Sequence, residues 1–418
     1  MPDQLIGLLL GTEDDWPRAF EAIVERLPPV EYRGTRHVFR TERIVNEPFD
    51  LRAKPRYALV IDRLGWWYDL AREWIKKCAL MDDVYLLNNP FTFQAMEKHS
   101  AYCAMIRLGL KVPDTWMIPH KLPAPMHRRE YMAPKLEHMA SRYNVQFDLE
   151  QVAEAVGYPL YMKPFDGGQW VGVTRIGDAH ELHDRYDASG ERLMHLQASV
   201  EGFDVFARSL SIGAETMVMR FHPEADMHER YTVEHDFLSG ERGWEVVTIS
   251  RLVNAFFRWE FNSCENLVRG DDVHPIDYAN ATPDVALTSL HYYFPWAIET
   301  LVKWCAFCVV TGRRMAIDMD KLRYFEVGDR EDLSYTEKLR EYRRLADEYF
   351  QVDAYEEFCA AALPSIRAST VEYFGGQAFD TLLVDVVRSV FPSHEHEQEV
   401  ERHRALVGAW VREQTTSA

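Results

Sequence analysis

The chain has 418 residues, which is too many for one hydrophobic core, so two or three domains are expected. Its net charge of −19 argues against sequence-independent binding to nucleic acid and to anionic membranes, because both need clustered cations. The first residues, MPDQLIGLLLGTEDDW, lack the basic flank of a signal peptide, and no run of about 18 apolar residues predicts a membrane span. Six cysteines in such a chain fit reduced thiols, so we expect a cytoplasmic protein.

The first part of the chain alternates between predicted strands and helices. Residues 5–11, 56–64 and 84–88 are apolar runs that predict strands, and residues 14–27 and about 66–80 have helical spacing. This alternation predicts a parallel sheet with helices on its faces. The glycine pattern GxGxxG does not follow the first strand, so a dinucleotide fingerprint is absent.

The middle of the chain has a different pattern. Residues 120–144 predict a loop or partial helix, and segments with alternating polarity then predict an antiparallel meander that ends with GWEVVTISRLV at 243–253. Residues 283–312 predict a helix that ends at a glycine, and MAIDMDKLRYFEVG at 315–328 predicts a tight hairpin. From about residue 331 the chain predicts polar helices.

A lysine stands directly before a glycine turn in YPLYMKPFDGGQWVGV. Lys163 lies in an apolar, strand-like run, and Gly167 and Gly168 follow it. Consecutive glycines let backbone N–H groups approach phosphate oxygens, and an ammonium group adds a positive charge for the same phosphates. The alternative is a charge on the edge of a half-exposed sheet.

Two carboxylates occur in the predicted hairpin at 315–328. Strand alternation can aim Asp318 and Glu326 into one cleft, where they would repel each other unless a cation lies between them. Mg²⁺ takes such oxygen ligands. The alternative is an ordinary polar hairpin.

Two further motifs have simple structural interpretations. The histidines at 222, 228 and 235 fit no zinc spacing, so a solvated hairpin is favoured over a metal cluster or a substrate loop. Cys305 and Cys308 form a CxxC in an apolar helix without a partner pair, which predicts core cysteines.

Taken in order, these motifs resemble the ATP-grasp superfamily of ATP-dependent carboxylate–amine ligases over about residues 85–330. The matching segments, in chain order, are AMEKHSAYCAMIRLGLKVPDTWMI, YPLYMKPFDGGQWVGV, RLMHLQASVEGFDVFARSLSIG, SRLVNAFFRWEFN and MAIDMD…YFEVG. The resemblance implies an α/β (α+β) fold, with an N-terminal parallel-sheet domain at 1–92 and an ATP-grasp domain at 93–330 that has antiparallel sheet and a lid at about 120–202. Residues 331–418 match no segment of the family, and their own pattern predicts a helical C-terminal extension.

The resemblance also implies roles for individual residues. The groups that would bind ATP are Lys98, Lys163, Gly167, Gly168, Gln197, Ala198, Ser199, Val200 and Asp204. Arg208 and Arg258 would face the reacting phosphate, and Asp318 and Glu326 would bind Mg²⁺ or Mn²⁺. Arg220 is a further catalytic candidate, which we expect to face the cleft from its position before the histidine-containing segment. The family hairpin usually ends Glu-x-Asn, whereas Gly328 stands here in place of the Asn, so Asp329 or Asp320 would have to supply the third ligand.

The implied activity is activation of a small-molecule carboxylate as an acyl phosphate and its joining to an amine, with an amino acid or peptide among the candidate substrates. A kinase of the same fold and a nucleotide-binding protein without turnover are the alternatives. The sequence leaves open whether the chain is a monomer or a homodimer.

Overall fold

The computed structural model describes residues 3–92, 98–121, 147–168, 170–280 and 282–416. Within them the strands form three sheets. The predicted loop at 120–144 lies almost entirely outside the described residues.

The N-terminal sheet is mostly parallel and has the order β2-β3-β1-β4-β5. Its strands are β1 (Asp3–Leu9), β2 (Val30–Tyr32), β3 (Thr35–Arg43), β4 (Leu59–Asp62) and β5 (Tyr85–Leu87). Helices α1 (Asp15–Arg26) and α2 (Asp69–Met81) connect strands of this sheet. The predicted parallel sheet is confirmed, but the antiparallel hairpin of β2 and β3 was not expected, because TRHVFRTER is a polar segment.

The lid sheet is antiparallel and has the order β6-β9-β7-β8. Its strands are β6 (Thr115–Ile118), β7 (Leu160–Pro164), β8 (Thr174–Ile176) and β9 (Met194–Ala198). Helix α3 (Lys98–Arg107) precedes it, and α4 (Leu149–Val156) and α5 (Ala179–Ser189) pack on it. The lid sheet and its helices have a small hydrophobic core of their own, which includes Leu160, Met162 and Leu196.

The central sheet is antiparallel and has the order β12-β11-β10-β13-β14. Its strands are β10 (Val205–Ile212), β11 (Glu215–Phe221), β12 (Tyr231–Thr232), β13 (Phe261–Arg269) and β14 (Asp272–Asn280). The expectation of a strand at 243–253 was wrong, because these residues belong to helix α6 (Gly240–Phe257). The Ser239 hydroxyl accepts a hydrogen bond from the Arg242 N–H and caps the helix, and burial against the sheet overrides the strand preference of its β-branched residues.

Helix α8 (Phe294–Thr311) is a core helix and follows the short helix α7 (Leu287–Leu290). By length and composition the stretch Leu287–Thr311 could cross a membrane, but 78% of its apolar window is buried inside the fold. Cys305 and Cys308 are both buried on it, and burial raises the pKa of each thiol, as expected of core cysteines.

The predicted tight hairpin at 315–328 was wrong. Residues 321–328 form helix α9 (Lys321–Gly328), in which Tyr324 and Phe325 pack on Phe256. Gly328 lies so close to a neighbouring helix that an added Cβ would come within 3.2 Å of the Arg107 carbonyl oxygen. Close packing therefore explains this glycine.

The predicted helical character of the C-terminal region is confirmed. Its helices are α10 (Tyr335–Phe350), α11 (Val352–Ala362), α12 (Ile366–Phe374), α13 (Gln377–Val390) and α14 (His396–Thr416). We call residues 331–418 the C-terminal extension. Its first helix packs on α6, and its apolar side chains join the main hydrophobic core.

A buried carboxylate connects the N-terminal sheet, the core helices and the C-terminal extension. Glu260 is 4% exposed and accepts hydrogen bonds from the Tyr85 hydroxyl at 2.7 Å, the Trp304 indole at 2.9 Å and the Tyr349 hydroxyl at 2.8 Å. The Arg313 guanidinium lies 3.1 Å away and provides the opposite charge. Both carboxylate oxygens are therefore satisfied by groups from distant parts of the chain.

Replacing Glu260 with alanine should lower the unfolding free energy by about 3–5 kcal/mol, because the buried Arg313 charge and several hydroxyl groups lose their partner. Urea unfolding followed by circular dichroism measures the change. Glu341→Ala removes an exposed ion pair with Arg344 and should cost less than about 1 kcal/mol. An equal loss of unfolding free energy in Glu260→Ala and Glu341→Ala would contradict this role of Glu260.

Candidate active site

A cleft of about 990 Å³ opens between the lid sheet and the central sheet. The lid sheet contributes Tyr161 and Lys163, and the central sheet contributes Arg208 and Glu265. The loop after β4 adds Trp66 from the N-terminal sheet. All three sheets therefore meet at one cavity that is large enough for a nucleotide together with a second small molecule.

The glycine turn is tied to the first residue of α3. The Lys98 ammonium donates to the Gly167 carbonyl oxygen at 2.7 Å, and the Lys98 N–H donates to the Phe165 carbonyl oxygen at 2.9 Å. Gly167 has a φ of +87°, which a residue with a side chain rarely adopts. Gly167 and Gly168 both line the cleft.

Lys163 points from β7 into the cleft. It is 7% exposed, and its Nζ donates a hydrogen bond to the Gln197 Oε1 at 2.7 Å. The amide nitrogen of Gln197 in turn donates to the Thr115 hydroxyl. Burial lowers the pKa of Lys163 to about 8, and the nearby Lys98 charge acts in the same direction, while Asp277 opposes the shift. This amine can therefore change its charge near neutral pH.

Two carboxylates face each other on neighbouring strands of the central sheet. Glu265 of β13 is paired in register with Asp277 of β14, and both line the cleft. The Lys98 Nζ lies 3.4 Å from Asp277, and the Arg208 Nη1 lies 3.8 Å from the Glu265 Oε1. Burial raises the pKa of Glu265 and the charge of Asp277 raises it further, while Arg208 opposes the shift. Positive charge is thus concentrated around a pair of acids, of which Glu265 is buried and Asp277 is partly exposed.

This pair offers the ligands that a hard divalent cation prefers. Asn280 lies at the end of the same hairpin, where its side chain bonds the Ser263 hydroxyl at 2.9 Å, and it also lines the cleft. In the part of the chain that the structure describes, no three His, Cys, Asp or Glu side chains are grouped to hold a metal. The fitting set is therefore two carboxylates and one amide, all of them oxygen ligands suited to Mg²⁺.

This hairpin was not expected from the sequence. Its pattern is present in NSCENLVRGDDVHPIDYAN, where two strand-like segments flank an Arg-Gly-Asp turn, with Glu265 before the turn, Asp272 and Asp277 after it and an asparagine at the end. A register shift next to Glu265 makes the spacing of the two acids unequal about the turn. Because of this irregularity, simple strand alternation does not predict that the two acids are paired.

The predicted metal ligands lie elsewhere. Asp318 and Glu326 are exposed, and neither they nor Asp329 line the cleft. The Asp318 carbonyl oxygen accepts from the Arg258 Nε at 3.0 Å, and the Asp329 carboxylate pairs with Arg107. Since the expected hairpin is replaced by α9, strand alternation no longer aims these carboxylates at a shared point.

Arg258 also lies away from the cleft. It ends α6 in the left-handed conformation, with a φ of +61°, and its Nη1 donates to the Ala255 carbonyl oxygen at 2.8 Å. Its guanidinium lies 4.4 Å from the centre of the Tyr349 ring. These contacts anchor the C-terminal extension, so the structure gives Arg258 a packing role in place of the predicted position near phosphate.

The other predicted arginines do reach the cleft. The Arg208 guanidinium lies 5.1 Å from the Phe221 ring centre, and its side chain is 13% exposed, with its Nε atom lacking a partner among the described residues. Arg220 lines the cleft and pairs with Glu234 at 2.8 Å. Both arginines bring positive charge to the side of the cleft formed by the central sheet.

The predicted adenine-binding segment lies at the end of β9. Gln197, Ala198 and Val200 line the cleft, whereas Ser199 is not among the lining residues. The N–H groups of Ala198 and Ser199 already donate to backbone carbonyl oxygens. Asp204 also lines the cleft, and its carboxylate accepts from the Gly270 N–H at 2.8 Å, so it fixes the turn of the β13–β14 hairpin.

Replacing Lys163 with methionine should stabilise the folded chain at pH 7 by about 1–2 kcal/mol, because a charge in an unfavourable environment is removed. The folded pKa of about 8 lies below the ordinary 10.5, so the unfolded chain holds more protons between these values. Stability of the wild type therefore rises with pH in this window, and the advantage of the variant shrinks.

Urea unfolding at pH 7, 8.5 and 10 measures the difference between Lys163→Met and the wild type. The matched control, Lys76→Met, removes an exposed lysine paired with Glu73. A difference for Lys163→Met that does not change with pH would contradict the lowered pKa.

Searches of protein-family models and of curated protein sequences find no match for this chain. Solved structures do match. D-alanyl-alanine synthetase A from Vibrio cholerae has 12% identity, covers 74% of this chain and 100% of its own, and has a TM-score of 0.50. D-alanine–D-alanine ligase from Bacillus anthracis, solved with ATP, has 12% identity, coverage of 74% and 98%, and a TM-score of 0.48.

A third structure, a RimK domain protein ATP-grasp from Sphaerobacter thermophilus, has 13% identity, coverage of 68% and 93%, and a TM-score of 0.46. At such identities a likeness shows the fold alone. The predicted fold is confirmed: this chain has the ATP-grasp fold, with a mostly parallel N-terminal sheet, two antiparallel sheets around the cleft and a helical C-terminal region.

Proposed function

We propose that the protein is an ATP-dependent ligase that activates a carboxylate as an acyl phosphate and joins it to an amine. The observation that carries the proposal is the meeting of Lys98, Lys163 and Arg208 with the carboxylate pair Glu265 and Asp277 in one cleft. Such a set of charges suits a polyphosphate, which needs cations from the protein and a divalent ion between itself and the acids.

The proposed reaction has two steps. An oxygen of the substrate carboxylate attacks the γ-phosphorus of ATP, the bond to the β–γ bridging oxygen breaks, and ADP leaves. The amine nitrogen then attacks the acyl carbon, the carbon–oxygen bond to phosphate breaks, and phosphate and one proton are released. No protein nucleophile is required.

The residues of the cleft serve these steps through charge and position. Lys98 and Lys163 hold phosphate oxygens, and the Gly167–Gly168 turn brings backbone N–H groups toward the same anion. Arg208 faces the reacting phosphate from the central sheet. Its positive charge lowers the repulsion between the substrate carboxylate and the γ-phosphate of ATP, which must approach each other. Glu265, Asp277 and Asn280 would hold Mg²⁺, which supplies further charge neutralisation at phosphate oxygens when bound.

The adenine base would lie between the two antiparallel sheets. Tyr161 and Val200 from the lid side and Leu267 and Ile276 from the central sheet give the cleft apolar walls of suitable type. The Gln197 side chain, held between Lys163 and Thr115, adds a polar group beside this apolar region.

Asp277→Asn and Glu265→Gln should each reduce ADP formation about 100-fold or more, because each removes a charge from the proposed cation site. ADP release is measured from ATP and Mg²⁺ in a mixture of the common amino acids. Asp318→Asn and Glu326→Gln are matched controls outside the cleft and should keep wild-type rates. Loss of activity in the controls, or normal activity in both cleft variants, would refute this assignment.

ATP binding should weaken as pH rises from 7 to 9.5, since Lys163 loses its positive charge through a pKa of about 8 in the free protein. Isothermal titration calorimetry with a non-hydrolysable ATP analogue measures the affinity. Lys163→Arg keeps a positive charge over this range and should flatten the pH dependence. The same slope in both proteins would rule out Lys163 as its source.

Product analysis separates the ligase from a kinase of the same fold. A ligase releases free phosphate in step with ADP, whereas a kinase leaves the phosphoryl group on the second substrate. Phosphate release equal to ADP release is expected, and a phosphorylated product without free phosphate would establish the kinase.

A further inference from the structure

We propose that the acid substrate carries an aromatic ring, and that a row of aromatic side chains along the cleft selects it. This inference rests on the proposed function and names the substrate class. The row, which we call the aromatic row, consists of Trp170, Phe203, Phe206, Phe221 and Tyr231, and all of these side chains line the cleft.

The rings of the aromatic row contact one another from end to end. The Phe221 ring centre lies 5.1 Å from that of Tyr231 and 5.1 Å from that of Phe206. Phe206 in turn lies 6.3 Å from Trp170 and 6.4 Å from Phe203. Ring centres about 4.5–7 Å apart are typical of interacting aromatic pairs, so the row is continuous.

The central sheet forms the inner end of the row. Phe221 and Tyr231 are paired in register on β11 and β12, and Phe206 and Arg208 lie two residues apart on β10. Residues at this spacing on a strand point to the same face of the sheet. The Arg208 guanidinium lies 5.1 Å from the Phe221 ring centre and 5.8 Å from that of Tyr231, so a positive charge stands beside the inner rings.

The outer end of the row is open. Phe206, Phe221 and Tyr231 are buried, whereas Trp170 is 38% exposed and Phe203 is 40% exposed. Both exposed rings contact Phe206, so they stand where the covered part of the row ends. Exposed aromatic rings on the wall of a cleft mark a surface that a ligand covers.

The turn that carries Trp170 holds this residue in an uncommon conformation. Trp170 has a φ of +62°, in the left-handed region that residues with a side chain seldom adopt. Its carbonyl oxygen accepts from the Val173 N–H at 3.1 Å, and the Val171 N–H donates to the Gly168 carbonyl oxygen at 3.2 Å. A glycine would form this turn with less strain, and strain kept at a bulky residue is typical of ligand-binding sites.

Arg208 determines which end of the substrate lies at the inner rings. In the proposed reaction this arginine faces the reacting phosphate, so the substrate carboxylate lies beside it. The body of the substrate then follows the rings outward to Trp170 and Phe203. An aromatic ring there would stack on these side chains or meet their edges, whereas a short aliphatic acid would leave them uncovered.

The aromatic row shares no residue with the proposed adenine site. Tyr161, Val200, Leu267 and Ile276 give that site its apolar walls, and none of them belongs to the row. Changes in the row should therefore alter the response to the acid and leave the KM for ATP unchanged.

The test compares phenylpropionate, cyclohexylpropionate and propionate, which share the same carboxyl end. ADP release is measured with ATP, Mg²⁺ and hydroxylamine, an amine that attacks acyl phosphates and gives a hydroxamate with a coloured ferric complex. We expect kcat/KM for phenylpropionate to exceed that for propionate about tenfold or more and that for cyclohexylpropionate about fivefold. The second difference arises because only the planar ring forms the aromatic contacts.

Trp170→Leu and Phe203→Leu each remove one ring and keep an apolar side chain. Each should raise the KM for phenylpropionate about fivefold or more and reduce its advantage over cyclohexylpropionate. Phe203 is not in the left-handed conformation, so its variant leaves the strained turn as it is. Trp116→Leu is the matched control, since Trp116 is an exposed tryptophan of β6 outside the cleft, and it should change neither value. Equal kcat/KM for all of these acids, or an unchanged KM in both row variants, would overturn the proposal.

The two proposals fail in different ways. If ATP and Mg²⁺ raise the Tm and the acids act equally, the substrate class is wrong and the nucleotide site stands. If ATP neither binds nor turns over, the ligase function fails, and calorimetry with phenylpropionate on the wild type and on Phe203→Leu still decides whether the row binds an aromatic acid.

Discussion

The structure depends on one buried carboxylate. Glu260 follows α6 and leads into β13, and its own N–H donates to the Asn88 side chain at 2.6 Å. The residues that donate to its carboxylate come from β5, α8, the segment after α8 and α10, so a single charge connects the N-terminal sheet to the helices behind the central sheet. A buried acid is tolerated only when its partners are fixed, and its position therefore determines where β13 begins.

The position at which β13 begins matters because β13 carries Glu265, one of the two acids of the candidate site. With β13 fixed at Phe261, its pairing with β14 puts Glu265 opposite Asp277. Two acids on adjacent strands repel each other unless cations lie near them, and Lys98 and Arg208 come from other elements to meet them. The protein keeps these opposing charges in a cavity open to ligands, at the expense of stability, which is the arrangement expected of a binding site.

The sequence predicted the fold class and part of the lining of the cleft. Alternation of apolar runs indicated the parallel sheet, and the glycine turn after Lys163 indicated one wall of the cleft, because both depend on local sequence. The strand expected at 243–253 was wrong because burial of α6 on both sides overrode its local preference. The acid pair was missed since it depends on register between two strands and a local irregularity in that register.

The prediction of a metal site at Asp318 and Glu326 shows the same difference between local sequence and tertiary contacts. Asp318 and Glu326 were expected to bind a metal because residues 315–328 were interpreted as a tight hairpin, in which strand alternation can aim both acids into one cleft. Contacts with Phe256 and the close approach at Gly328 favour the helix, and neither is visible in the segment itself. Packing against α3 explains Gly328 without reference to a metal, whereas the two acids that do meet in the cleft are followed by Asn280 at the end of β14.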